Sequence, residues 1–370
     1  MNKTLSLYLD LVRLFAAIVV LLSHFAYTRL SGGEYLVIRD FRLGSDAVIL
    51  FFVLSGYVIA YVTDQRDRSI KDYALNRLAR LYSVVAPGLL ITLVLDQIGR
   101  VLEPSLYDGW WYKDRHPVYR MVCNLFFVNE LWFASIRPFS NGPYWSLGYE
   151  FWYYVLYGVA FYCAGYVRGV LIALIVLVIG PKIMLLFPVW LMGVWTYRFN
   201  KERTLPGAMG WICVVLPTAI YLWIKLGGID VLARDLSMEV LGEDFVKREL
   251  KYSDEFLISY VYGALIATNF IGMNAIAPLL EKAFARFEKG IRFWAGLTFS
   301  IYLLHYPLLH FFGALYGGEA SALSTQLLIM ASTLPAIVLI GAVTERKKHV
   351  ARRVIAALFI WAEPRRATSL

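Results

Sequence analysis

Cysteine is scarce in this 370-residue chain, and its three thiols, Cys123, Cys163 and Cys213, stand far apart in apolar surroundings. That spacing excludes a disulfide framework or a cysteine metal site and reads as buried thiols. Charge is scarce too, at 17% of residues, far below what a soluble surface needs. There is no Gly-x-Ser-x-Gly nucleophile elbow and no glycine-rich phosphate loop running into a lysine. No His/Cys/Asp cluster has metal-ligand spacing either. Nothing visible therefore requires a covalent serine intermediate, a resident metal or a permanently bound cofactor.

What is present is apolar. Hydrophobic residues make up 59% of the chain, and the mean hydropathy is +0.59. Several runs approach the ~20 residues that span a bilayer. Aromatics reach 16%, with 25 Tyr and 11 Trp, which suits interfacial belts. The expected class is all-α: a polytopic transmembrane helical bundle. The formal charge of +9 sits mostly in short connections and in the tail. Orientation by the positive-inside rule explains it without a nucleic-acid partner. The first apolar run carries Arg13 and lacks a clear small-residue cleavage site, so it reads as a retained span and not a signal peptide.

Eleven apolar segments can be marked, at 5–27, 47–62, 82–98, 121–133, 145–163, 169–179, 185–197, 211–226, 256–273, 293–315 and 323–343. The connection 64–80 carries Arg66, Arg68, Lys71, Arg77 and Arg80; 198–206 and 281–292 are also basic, as is the tail through Arg365 and Arg366. These mark the cytoplasmic side. Residues 230–255 hold four Lys/Arg against eight Asp/Glu, a net of −4, and suit the outer side. With both termini cytoplasmic the number of crossings is even. Segment 121–133, broken by Asn124, Asn129 and Glu130, is the weakest and is set aside. About ten spans remain. Residues 1–346 form the integral membrane domain, and 347–370 a basic tail whose 349–361 stretch reads as amphipathic.

Ionisable residues inside such segments are expensive and mark function by default. Arg13 and His24 lie eleven positions apart on the first segment. At ~100° per residue they share a helix face, roughly 16 Å apart along the axis. Asp10, three residues before Arg13, can pair with it. Glu150 falls early in the 145–163 helix, and His305 past the middle of 293–315. A neutral imidazole with a carboxylate nearby is what general-base catalysis needs. Each has a plainer alternative. Arg13 and His24 can snorkel to opposite interfaces, His305 can satisfy carbonyls freed by Pro307, and Glu150 can pair with an arginine. His116 and His349 read as loop and tail residues.

Taken in order, the motifs resemble the membrane-bound acyltransferase 3 family, over essentially the whole membrane portion. The match begins with Leu9-Asp10-Leu11-Val12-Arg13 and runs to His24, an arginine, ten residues, then a histidine. Phe51-Phe52-Val53-Leu54-Ser55-Gly56 follows. Arg77-Leu78-Ala79-Arg80-Leu81-Tyr82 is similar to the family's Arg-x-x-Arg-x-Tyr-Pro, with Ser83 in place of the proline. Trp145-Ser146-Leu147-Gly148-Tyr149-Glu150 and the late Ser300-to-Pro307 stretch complete the series.

The resemblance implies acyl transfer, commonly acetyl or succinyl, from cytoplasmic acyl-coenzyme A to a sugar hydroxyl of a cell-envelope or exported glycan. The enzyme would sit as a multi-pass protein in the bacterial inner membrane, in the stand-alone form of the family. It implies His24 as base with Arg13 and Glu150 in the catalytic group, and Arg77, Arg80, Ser55 and His305 on the donor side. A homo-oligomer is compatible with the pattern. Two rival classes stay open: a transporter or flippase for an acyl or glycan group, which predicts paired broken helices or internal repeats, and a non-catalytic membrane scaffold.

Overall fold

The computed structural model describes residues 1–362; Arg365 and Arg366 of the basic tail lie outside the described residues. The chain opens with α1 (Lys3–Phe25), then the short α2 (Thr28–Ser31) and α3 (Leu36–Asp40), then α4 (Leu43–Gln65) and α5 (Ile70–Leu102). A connecting region holds α6 (Pro117–Leu125) before α7 (Trp145–Tyr162), α8 (Gly165–Glu202) and α9 (Gly207–Leu226). The acidic insert contains α10 (Ile229–Leu241). The remainder is α11 (Phe256–Ile276), α12 (Glu281–Ala295), α13 (Thr298–Tyr316), α14 (Leu323–Val343) and α15 (Lys348–Ala362). No strand occurs among the described residues. An apolar chain in lipid must satisfy its backbone within each segment, which helices do.

Seven helical stretches among the described residues are long and apolar enough to cross a bilayer, making this a multi-pass membrane protein. The sequence led us to expect about ten. The difference has two sources, and the segment set aside, 121–133, is not one of them. α7 and α13 are 18 and 19 residues long, but Glu150, His305, His310 and many tyrosines lower their hydropathy. α8, which absorbs both segments 169–179 and 185–197, counts once although Gly180 breaks it at φ 75°. Residues 121–133 form no continuous helix: α6 ends at Leu125, and Phe127 and Trp132 take positive φ.

α13 lies inside the bundle. Thr298 and the whole run from Ser300 to His310 are buried, and α13 packs against α1, α5 and α14. Surrounded by protein, it can carry polar side chains that a lipid-facing helix could not. α1 shows the opposite arrangement along one edge, with Leu11, Phe15 and Ile18 exposed, an apolar stripe suited to lipid. α4 and α8 approach closely: a Cβ on Gly56 would overlap the Trp190 carbonyl, and one on Gly193 the Val53 carbonyl. Small residues permit that approach of backbones.

The break in α8 is filled by the connection after α6. Trp132 donates its backbone N–H to Ile179 O (2.9 Å) and its indole N–H to Leu177 O (3.0 Å). Lys182, two residues past the break, donates to Glu130 Oε2 at 2.5 Å and to the Ala134 carbonyl. Both side chains of this pair are inaccessible to solvent to within 2%. The pair anchors a non-helical connection inside the bundle by charge-assisted hydrogen bonds.

Candidate functional site

Two cavities occupy the interior between α1, α4, α7 and α13. The first, about 60 Å³, is lined by Arg13, Ser55, Arg80, Glu150, Tyr154 and Glu345 among others. The second, about 250 Å³, is lined by His24, Tyr27, Arg39, Arg42, Trp145, Tyr252 and Tyr262 among others. Val48 and Tyr302 line both. Tyr302 is therefore a partition. Its hydroxyl donates to Pro143 O (3.0 Å), since a carbonyl can only accept, and receives Ser146 Oγ–H at 2.7 Å.

In the first cavity Arg13 donates through Nη2 to Asp10 Oδ1 (3.0 Å) and to Ala295 O (2.8 Å). Asp10 also receives Arg292, so the Asp10–Arg13 pair foreseen from their spacing forms and is extended. Arg80 faces the same space, and its guanidinium makes no hydrogen bond among the described residues. Glu345 accepts from Ser300 N and Oγ, both at 2.8 Å, and so caps the first turn of α13. A carboxylate there complements the helix dipole, and it also brings an acid to the two arginines. Sequence reading passed over Glu345; the available signal was an acid opening an otherwise basic stretch directly after the last apolar run.

Glu150 lies on this side as well. It accepts Ser55 Oγ–H at 2.7 Å and the Tyr154 hydroxyl, while Ser55 Oγ accepts the Trp190 indole N–H at 3.2 Å. The Ser55 proton is thus committed to Glu150. The expectation of a carboxylate beside His24 assigned that place to Glu150, whereas Glu150 and His24 line different cavities.

The partner of His24 is His305. Nε2 of His305 is 3.3 Å from Nδ1 of His24. The Nδ1 of His24 also faces Val20 O at 2.8 Å, and the Nδ1 of His305 faces Ile301 O at 2.9 Å. Carbonyl oxygens only accept, so in each neutral ring the proton sits on Nδ1 and Nε2 holds the lone pair. His305 Nε2 then accepts a second branch of the His24 Nδ1–H bond. What remains is the Nε2 lone pair of His24, with no hydrogen-bond partner among the described residues. Two helices hold an imidazole in one tautomer with one basic nitrogen free.

The expected donor-side residues separate. Arg80 and Ser55 share the first cavity with Arg13 of the expected catalytic group; His305 does not, and Arg77 is elsewhere. Arg77 is buried against Asp67 Oδ2 at 3.5 Å and over the Tyr73 ring at 5.5 Å, outside both cavities. Sequence reading also passed over His310, whose Nε2 accepts Arg29 Nε–H at 3.0 Å. A second histidine in the same apolar helix was the signal for it.

A family profile described as an acyltransferase domain, acyltransferase 3, matches residues 6–344. Among curated proteins, the chain is 31% identical over 157 residues to an O-acetyl transferase of Shigella phage Sf6, covering 41% of this chain and 44% of that protein. It is 29% identical over 151 residues to the acyltransferase MdmB of Streptomyces mycarofaciens, covering 40% of this chain and 36% of that one. The aligned stretches thus span less than half the length of these curated relatives. No solved structure matches the chain.

Proposed function

Because this chain belongs to the acyltransferase 3 family, we propose that it transfers an acyl group, acetyl or succinyl, from acyl-coenzyme A to a sugar hydroxyl of an envelope or exported glycan. The observation that carries this reading is the free Nε2 of His24, held in its tautomer by Val20 O and His305 at the wall of a 250 Å³ cavity.

In this reading the acceptor hydroxyl enters the His24 cavity and gives its proton to His24 Nε2. The oxygen attacks the thioester carbonyl carbon, the C–S bond breaks, and the proton passes from His24 to the departing thiolate. Carbon, sulfur and proton are all accounted for, and no covalent enzyme intermediate is needed. His305 orients the imidazole and stabilises the imidazolium through its own lone pair. The donor's anionic phosphates meet Arg13 and Arg80, with Glu345 holding the end of α13 against them. A cavity of about 60 Å³ holds only a few waters, so the nucleotide stays outside and only the thin thioester arm advances. The arm must pass the Tyr302 partition to meet the acceptor.

The orientation that goes with this reading has ten crossings, both termini cytoplasmic, and the Arg13 cavity facing the cytoplasm. It suits a bacterial inner-membrane location. The test is purified protein in nanodiscs given radiolabelled acetyl-coenzyme A and envelope glycan. Label should move to the glycan, and His24→Ala should slow that transfer by about 10²–10⁴-fold. Full transfer by His24→Ala would remove the base assignment, and glycan movement across liposomes without transfer would favour a transporter.

A further inference from the structure

The wall of the His24 cavity carries cations that the protein does not neutralise. Arg39 and Lys251 line it. Arg39 gives Nη1–H to Ser23 O at 3.1 Å and lies 3.5 Å over the Tyr27 ring. Behind it, Arg29 lies 4.1 Å over both Tyr27 and Trp111 and donates to His310 and to the Tyr306 hydroxyl. Arg137 donates to Trp111 O at 2.5 Å and to the hydroxyl of Tyr252, a cavity residue, at 3.4 Å. Rings, carbonyls and hydroxyls hold these groups. Among the described residues none of Arg29, Arg39, Arg137 or Lys251 forms an ion pair.

The acids nearby are already engaged. Asp254 and Glu255 take Arg42 at 3.4 and 2.9 Å, Asp254 also takes Arg234 at 3.1 Å, and Asp46 takes Lys225 at 2.8 Å. Among the lining side chains Arg39, Arg42 and Lys251 face Asp46, Asp254 and Glu255. Arg42, Arg234 and Lys225 hold those acids, so the Arg39 guanidinium and the Lys251 ammonium are left without an ion pair among the described residues. Such donors suit carboxylate and phosphate. One further feature lies on the same wall. The Tyr262 hydroxyl, on a residue 3% exposed, has no hydrogen-bond partner.

We propose that the acceptor bound beside His24 carries an anionic group, phosphate or carboxylate, which Arg39 and Lys251 hold. The proposal rests on the acyl-transfer reading of this cavity and adds the class of acceptor. A lipid-linked glycan supplies phosphate, and an acidic sugar supplies carboxylate. The charge arrangement serves either, because both are multi-oxygen anions.

Binding can be read without the donor. The full chain in nanodiscs of zwitterionic lipid is titrated with inorganic pyrophosphate, D-glucuronate and D-glucose while tryptophan fluorescence is followed, Trp111 and Trp145 serving as reporters. One of the anions should bind more tightly than glucose. Arg39→Gln and Lys251→Gln should each weaken it at least tenfold, and Arg39→Lys should retain most of the affinity. Pyrophosphate as the tighter ligand assigns the group to phosphate, glucuronate to carboxylate. Glucose binding as tightly as either anion, or anion binding indifferent to both Gln variants, overturns the proposal. Anion binding that persists in a protein unable to transfer acyl groups would instead sink the catalytic reading alone.

Discussion

His305 stands 3.3 Å from His24 across the α1–α13 contact, and each ring turns its Nδ1 to the carbonyl four residues earlier on its own helix. The two bonds to Val20 and Ile301 set both tautomers, so the pair works in one direction: His305 accepts, His24 donates from Nδ1, and Nε2 of His24 is left as the base. Removing His24 should cost about 10²–10⁴-fold in kcat, the usual contribution of a general base. His305→Ala keeps the Val20 bond and so the tautomer, and should cost less, about 10–10²-fold, through lost orientation. Steady-state kinetics on both variants check this. Equal losses would mean that His305 takes part in proton transfer itself.

The two arginines of the Arg77-x-x-Arg80 stretch should behave differently. Arg80 faces the first cavity, so Arg80→Gln should raise the KM for acyl-coenzyme A by roughly 10–100-fold, the value of a charged hydrogen bond. Arg77 is tied to Asp67. Arg77→Gln should leave that KM near wild type and lower stability by about 1–3 kcal/mol. Donor titrations and thermal unfolding in detergent separate the two.

Lys182 and Glu130 form a buried ion pair beside the Gly180 break. Lys182→Met strands the Glu130 carboxylate and should destabilise by about 3–5 kcal/mol. The double change Lys182→Met with Glu130→Met should recover much of that loss. A double-mutant cycle from thermal unfolding measures the coupling; additive losses would show that the pair is not the anchor of the break.

Gly56 and Gly193 bring α4 and α8 into backbone contact. Alanine at either position must push the helices apart, a cost of about 1–3 kcal/mol or more. Ser55 neighbours Gly56 and holds Glu150, so activity should fall along with stability. Gly207→Ala, where an added Cβ meets nothing within 4 Å, is the matched control for folding.

Local sequence decided the helices and flagged most of the chemistry. Long apolar runs in lipid leave the backbone no alternative to helix, and the expense of an ionisable group in such a run singled out Arg13, His24, Glu150 and His305 without any coordinates. Helix geometry alone puts Arg13 and His24 on one face of α1, and there they line two different cavities. Tertiary structure decided who meets whom. His24 and His305 are 281 positions apart, and no periodicity within a segment records which helix faces which. The same packing gave Glu150 to Ser55 instead of His24, drew Glu345 to the first turn of α13, and tied Arg77 to Asp67 while leaving Arg80 three residues on in the cavity. It also turned two apolar segments into one broken helix, because Gly180 can take a positive φ and Trp132 and Glu130 arrive from elsewhere in the chain to fill the gap. Composition sets what each segment must be in lipid; the partners of its few polar atoms follow only from the three-dimensional packing that has to satisfy them.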